Sequence, residues 1–171
     1  VADGQVAFAS RSKVLDPGDN FFGVRSQRLD DALAERARTL LSGLRRSANP
    51  TTWSIQIYGE LFGGGYPHPD VQPMPGAKPV QVGVWYAPEL QFMAFDVLVI
   101  DEGDATSRFL DFDRARDEAM AAGFMFANPL QRGTFETCLD FSVRFNTEVP
   151  SILGLPEVNG NAAEGVVIRP L

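Results

Sequence analysis

The chain has 171 residues and a mass of 18.7 kDa, with 44% hydrophobic and 22% charged residues. That is the balance of one ordinary globular domain, able to bury roughly 70% of its unfolded surface without staples. A single cysteine (Cys138) and a single histidine (His68) exclude a disulfide framework, a Cys/His zinc site and any mechanism that needs two histidines.

The net charge of −7 speaks against a broad, sequence-blind grip on nucleic acid. It is unevenly spread: residues 1–50 hold 8 basic and 6 acidic side chains, residues 51–171 hold 7 and 16. Lys13 and Lys78 are the only lysines. No apolar run approaches the ~20 residues of a membrane span, and no signal-peptide pattern opens the chain. The composition fits a reducing, cytosol-like setting. The chain opens on Val1 and stops at Leu171 directly after an apolar run, so it is expected to be cut at both ends.

In chain order, Val6 to Ser12 alternates well enough to predict a strand with Phe8 inward. Asp16 to Asn20 is dense turn chemistry, which puts Phe21 and Phe22 just beyond a loop. Leu29, Leu33, Ala37, Leu40, Leu41 and Leu44 recur at helical spacing. Asp30 and Asp31 match the positive end of that helix, Arg45 and Arg46 the negative end, and Asn49-Pro50 should close it. Trp53 to Phe62 alternates as a strand, with Trp53, Ile55, Ile57, Gly59 and Leu61 on a greasy face. Gln56, Tyr58, Glu60 and Phe62 fall on a polar, pocket-like face.

Gly63-Gly64-Gly65 predicts a loop. Val80–Tyr86 and Gln91–Ile100 predict a hairpin turning at Ala87-Pro88-Glu89. Asp111 or Asp113 can cap a helix that runs to about Ala122 and stops at Gly123. Thr134 to Phe141 reads as a short helix, Pro150 to Leu155 as a turn or half-helix, and Val166 to Ile168 as a last buried strand. The class is α+β with a mainly antiparallel sheet.

Several residues invite chemistry. The triple glycine lacks the Gly-Lys-Ser/Thr ending of a phosphate loop and is, by itself, an ordinary turn. Glu60 is a mid-strand carboxylate beside Gly59, and Glu164 beside Gly165 opens the last apolar run in the same way. A glycine next to each acid permits close approach of a ligand or of another backbone. Such a pair would also suit a glycosidase, although carbohydrate clefts usually bring more tryptophan than Trp53 and Trp85. By alternation, one of Phe92 and Phe95 faces the core. The other is free to serve as a stacking platform. Arg11 between two serines is ordinarily a solvated charge, His68 between prolines an exposed loop residue, and Cys138 a buried inert thiol.

Gly59-Glu60-Leu61-Phe62-Gly63-Gly64-Gly65-Tyr66-Pro67-His68-Pro69 resembles nucleotidyl motif III of the ATP-dependent RNA ligase 2 family. That family includes a phage RNA ligase and the kinetoplastid RNA-editing ligases. Phe92 to Val97 resembles its motif IIIa and Ala163 to Arg169 its motif IV. Phe8 to Ser12 followed by Asn20-Phe21-Phe22-Gly23 resembles motif Ia and the loop after it. Leu130 to Glu136 and Pro150 to Leu155 are also similar to the editing ligases.

The resemblance implies the nucleotidyltransferase fold shared with DNA ligases and capping enzymes, with antiparallel-rich sheets around a nucleotide cleft. It implies ATP and Mg²⁺ or Mn²⁺, and RNA with 3′-hydroxyl and 5′-phosphate ends, at nicks in duplex RNA. AMP would pass through a lysine to the RNA 5′-phosphate. Glu60 is then expected at the ribose, Phe95 under the adenine, and Glu164 at the metal. Arg11 is expected at the ribose or the RNA end, with Asn20 and Phe22 near the nucleotide pocket and Arg169 on the phosphate side. Val167 would lie across the base, although strict alternation from Glu164 favours Val166.

Two family features are not found. No lysine is followed by glycine three residues on, and no lysine pair follows motif IV. The expectation is therefore an adenylation domain over residues 1–171 that lacks its first and last motifs. A non-catalytic nucleotide- or RNA-binding relative is the alternative. The composition suggests a cytoplasmic bacterial or phage-like protein; a kinetoplastid source would make it mitochondrial.

Overall fold

The three- and four-residue recurrence of leucine and alanine forms helix α1 (Leu29–Ser47) in the computed structural model, which describes residues 1–2, 4–47, 52–101 and 106–169. The predicted Asn49-Pro50 stop lies outside those residues. Strands β1 (Thr52–Gly65), β2 (Ala87–Asp101) and β3 (Ser107–Phe109) follow, then α2 (Phe112–Ala121), β4 (Met125–Phe126), α3 (Phe135–Leu139) and α4 (Val149–Ile152). The α+β class is as expected. No described helix is long and apolar enough to cross a membrane.

Within the sheet, β2 lies between β1 and β3. β3 runs antiparallel to β2, with Leu98 opposite Phe109, whereas β4 pairs with β2 in parallel at Met93 and Ala94. The sheet is thus not wholly antiparallel. The parallel pair arises because the chain returns through α2, a crossover that brings the next strand back in the same direction.

The residues divide into two compact units, Val1–Glu60 with Phe92–Ala127, and Leu61–Gln91 with Asn128–Leu171. In the first unit, Leu33, Ala37, Leu40, Leu41 and Leu44 of α1 join Ile55, Ala94, Val97, Val99, Leu110, Phe112, Ala115, Ala119, Phe124 and Phe126 in one core. Leu40 is 1% exposed and Leu44 2%, so each stabilises the fold by about 2 kcal/mol through burial. Asp111 stands at the N-cap of α2 without a side-chain capping bond, and Gly123 ends that helix at φ +89°.

Phe8 packs on this core as expected, but Val6–Ser12 is not a strand. One bridge, Ala9 to Val14, closes a turn with Arg11 and Ser12 at its tip. The Ser10 hydroxyl accepts the Lys13 N–H at 3.3 Å there, which gives the backbone an alternative to a ladder.

The second unit holds four further departures. The triple glycine is the end of β1, not a loop. Gly63 and Gly64 take φ values of +89° and +87°, and a Cβ on either would collide with a carbonyl oxygen, that of Glu89 or of Lys78. These glycines let neighbouring backbone approach closely: Val80 N–H donates to the Gly63 carbonyl at 3.0 Å. Residues 80–86 form no strand, because Gly83 at φ +88° breaks the extended run, and β2 begins at Ala87, where the hairpin turn was expected. Phe62 is buried, not part of a polar face, and packs edge-on against Tyr86 at 5.6 Å. Val166–Ile168 forms no strand either. Ladder bonding stops at the Asn146–Ala162 bridge and the Ala163 N–H to Phe145 carbonyl bond, and Gly165 turns the backbone to φ +151°.

Gly64→Ala is expected to cost at least about 2 kcal/mol, since it adds a positive-φ penalty to a collision with backbone. Gly18→Ala, whose Cβ meets nothing within 4 Å, should stay within about 0.5 kcal/mol of wild type. Urea unfolding midpoints check this; equal midpoints would mean that the crowding at Gly64 is not real.

Candidate functional site

On β1 of the first unit, Ile55 and Ile57 point to the core, so Gln56, Tyr58 and Glu60 point the other way, and all three are exposed. Gly59 lies on the core-facing side, where a Cβ would meet the Phe92 ring. Phe92 packs against the core and makes an edge contact with Phe124 at 6.3 Å. Phe92 is therefore the core aromatic.

Phe95 is the outward one, at 37% exposure. Ala94, Val97 and Val99 are all buried, so the alternation of β2 shifts phase by one residue across Phe95 and Asp96. The partner of β2 changes at the same place, from β4 at Ala94 to β3 at Leu98, as at a β-bulge. The result is one outward sheet face carrying Glu60 and Phe95. Tyr58 shares that face: its hydroxyl donates to Gln56 at 2.7 Å and its ring meets Phe109 of β3 at 5.7 Å.

Three N-terminal candidates lie in the same unit. Arg11 is exposed at its turn tip and bonds to none of the described residues. The Asn20 side chain holds its own loop: its Oδ1 accepts from the N–H groups of Arg25 and Ser26 and its Nδ2 donates to the Ser26 hydroxyl at 2.7 Å. Phe22 sits at φ +50°, a strained position for an aromatic residue, 38% exposed and edge-on to Phe21 at 4.8 Å. Upstream, Lys13 donates to Asp19 at 2.8 Å and holds that carboxyl below its usual range.

The remaining candidates belong to the second unit. Glu164 is exposed and accepts a hydrogen bond from the Tyr86 hydroxyl at 2.9 Å. Val166 is half-buried and Val167 is 88% exposed. Arg169 is half-buried and already has an interaction partner. The segment before Glu164 is pinned by Asn161, which is 5% exposed and bonds both backbone groups of Trp85. Tyr66 donates from its hydroxyl to the Pro156 carbonyl at 2.5 Å, and burial, with Glu157 nearby, pushes its phenol above the ordinary value of 10.0.

The described residues contain no group of three or more His, Cys, Asp or Glu side chains that would cage a metal. A metal held mainly through phosphate oxygens needs only one or two protein carboxylates, and Glu164 fits that mode. A shallow groove of about 300 Å³ runs along Glu35, Arg38, Thr39, Ser42 and Arg46, but this is the solvent flank of α1 and carries none of the candidates.

The family model for RNA ligase matches residues 1–171. The chain belongs to the RNA ligase family. It is 35% identical over 185 residues to the mitochondrial RNA-editing ligase 1 of Trypanosoma brucei brucei, covering 96% of this chain and 39% of that protein. The mitochondrial RNA-editing ligase 2 of Trypanosoma brucei brucei (strain 927/4 GUTat10.1) is 29% identical over 180 residues, with 96% and 43% covered. This RNA ligase family chain therefore spans about two fifths of the length of the curated relatives it matches.

Two variants separate the aromatic residues of β2. Phe92→Ala is expected to cost about 3 kcal/mol, whereas Phe95→Ala should cost under about 1 kcal/mol. A larger loss of melting temperature at Phe95 than at Phe92 would reverse the face assignment. For Tyr66, the folded pKa lies above the unfolded one. The stabilisation from its hydrogen bond is thus complete below pH 10 and lost as pH rises through the raised value. Ultraviolet titration should show a late tyrosine phase whose amplitude Tyr66→Phe lowers. A late phase of unchanged amplitude after the substitution would place the perturbed phenol elsewhere.

Proposed function

We propose that this chain is the nucleotide-binding portion of an ATP-dependent RNA ligase that joins 3′-hydroxyl and 5′-phosphate RNA ends at nicks in duplex RNA. The observation that carries the proposal is the shared outward face of Glu60 and Phe95, an acid and an aromatic on a rigid sheet whose other face is core. An aromatic ring there can stack on adenine, worth roughly 1–3 kcal/mol per base, and the carboxylate can accept from ribose hydroxyls. Membership of the RNA ligase family and the likeness to two RNA-editing ligases support the reaction class. Their mitochondrial names support the same location for a kinetoplastid source; the composition favours a cytoplasmic one for a bacterial or phage source.

In this reading the fold is the nucleotidyltransferase fold, and residues 1–171 are the middle of its adenylation domain. Glu60 orients the ribose and Phe95 the base, fixing the α-phosphate relative to the attacking amine. Arg11 meets the ribose or the RNA end, Asn20 and Phe22 shape the loop beside the nucleotide, and Arg169 serves the phosphate side. Glu164 is the residue that would hold Mg²⁺ or Mn²⁺; when bound, the metal spreads negative charge on the phosphates. Val167, 88% exposed, is the aliphatic residue offered to the far side of the base. Lys13 is followed three residues on by Asp16 and Lys78 by Gln81, so neither carries the Lys-x-x-Gly motif of the nucleophile.

The test is labelled ATP and a nicked RNA duplex, given to the protein in its full encoded length. We expect a covalent AMP–lysine adduct outside Lys13 and Lys78, a sealed strand, and a fall of about 10²–10³ in rate for Glu60→Ala. ATP binding with no adduct and no sealing would instead establish the non-catalytic relative.

A further inference from the structure

The carboxylate read as the metal-facing one sits in an irregular segment. Residues 163–169 form no strand, so no ladder fixes the backbone that carries Glu164. A carboxylate free to rotate there would lose side-chain entropy each time it engaged a cation. The second unit supplies an alternative anchor. The Asn161 amide donates to the Trp85 carbonyl at 2.6 Å and accepts the Trp85 N–H at 2.8 Å, so one side chain replaces a pair of ladder bonds. Asn161 is 5% exposed, and losing either bond would leave a buried amide group unsatisfied.

That clamp brings the next residue, Tyr86, against Glu164. The Tyr86 ring is half-buried and braced by the edge of Phe62 at 5.6 Å, and its hydroxyl reaches Glu164 Oε2 at 2.9 Å. Oε1 has no hydrogen-bond partner among the described residues.

We propose that Tyr86 is the positioning residue for Glu164, holding one carboxylate oxygen so that the other is presented to the metal–nucleotide complex. The inference rests on the reading of Glu164 as the metal-facing acid. A phenol suits the task because it is a neutral donor: it fixes the carboxylate without cancelling its charge, as an arginine or lysine would. Groups that orient a metal ligand through its second atom commonly change metal affinity by 10–100-fold when removed. Tyr86 is partly exposed to water, so the lower end of that range applies.

The experiment titrates the 171-residue chain with Mn²⁺·ATP, following free Mn²⁺ by electron paramagnetic resonance, and with ATP in EDTA by calorimetry. Wild type, Tyr86→Phe, Glu164→Ala and the double variant are compared, with melting temperatures for each. Tyr86→Phe keeps the ring against Phe62, so its melting temperature should hold. It should weaken Mn²⁺·ATP about tenfold, leave metal-free ATP unchanged, and add nothing in the Glu164→Ala background. If Glu164→Ala weakens Mn²⁺·ATP but Tyr86→Phe does not, the positioning role is wrong while the metal reading stands. Equal losses from Tyr86→Phe in both backgrounds would also overturn it. If Glu164→Ala leaves Mn²⁺·ATP untouched, or wild type does not bind it, the metal reading itself fails and the inference falls with it.

Discussion

The packing of α1 and α2 against Ile55, Ala94, Val97 and Val99 is the constraint on which the candidate site in the first unit depends. Strand side chains alternate, so committing one set of positions to a helical core commits the other set to the opposite face. The leucines of α1 are thus as responsible for where Glu60 points as any residue near it. A substitution such as Leu44→Ala would cost about 2–5 kcal/mol and loosen the strand positions that aim the site.

The phase shift in β2 refines that rule. Strict alternation from Ala94 would put Asp96 inward and turn Val97 outward. The shift gives two successive outward residues, Phe95 and Asp96, and returns Val97 and Val99 to the core. It falls where β2 exchanges β4 for β3 as its neighbour, so pairing and side-chain direction change together. A large aromatic residue is left partly exposed on a rigid strand, the placement a stacking platform needs. In the second unit, close approach does comparable work: Gly63 and Gly64 let backbone lie against β1, and Asn161 supplies the bonds that a missing strand would have made.

The legible elements were those whose signal is local. The leucine spacing of α1, the alternation around Ile55 and the Gly123 stop of α2 each appear within a few residues of sequence. The misread elements depend on partners far along the chain. Val80–Tyr86 and Val166–Ile168 have the apolar content of strands, yet a strand exists only where another presents a ladder. The triple glycine has the composition of a turn, and only the carbonyls of Lys78 and Glu89 reveal it as a crowded strand end. For the site, the motif resemblance pointed to Glu60, Phe95 and Glu164, and alternation alone left Phe92 and Phe95 undecided. The Tyr86–Glu164 bond spans 78 residues and has no periodic signature at all.

The central claim is that the outward face bearing Phe95 receives adenine, and the most direct measurement is nuclear magnetic resonance of the chain with ATP. Intermolecular Overhauser effects should connect adenine H2 and H8 to the Phe95 ring, with those protons shifted upfield by the ring current. Effects to Tyr58 or Phe109 with none to Phe95, or contacts confined to the second unit, would contradict the account.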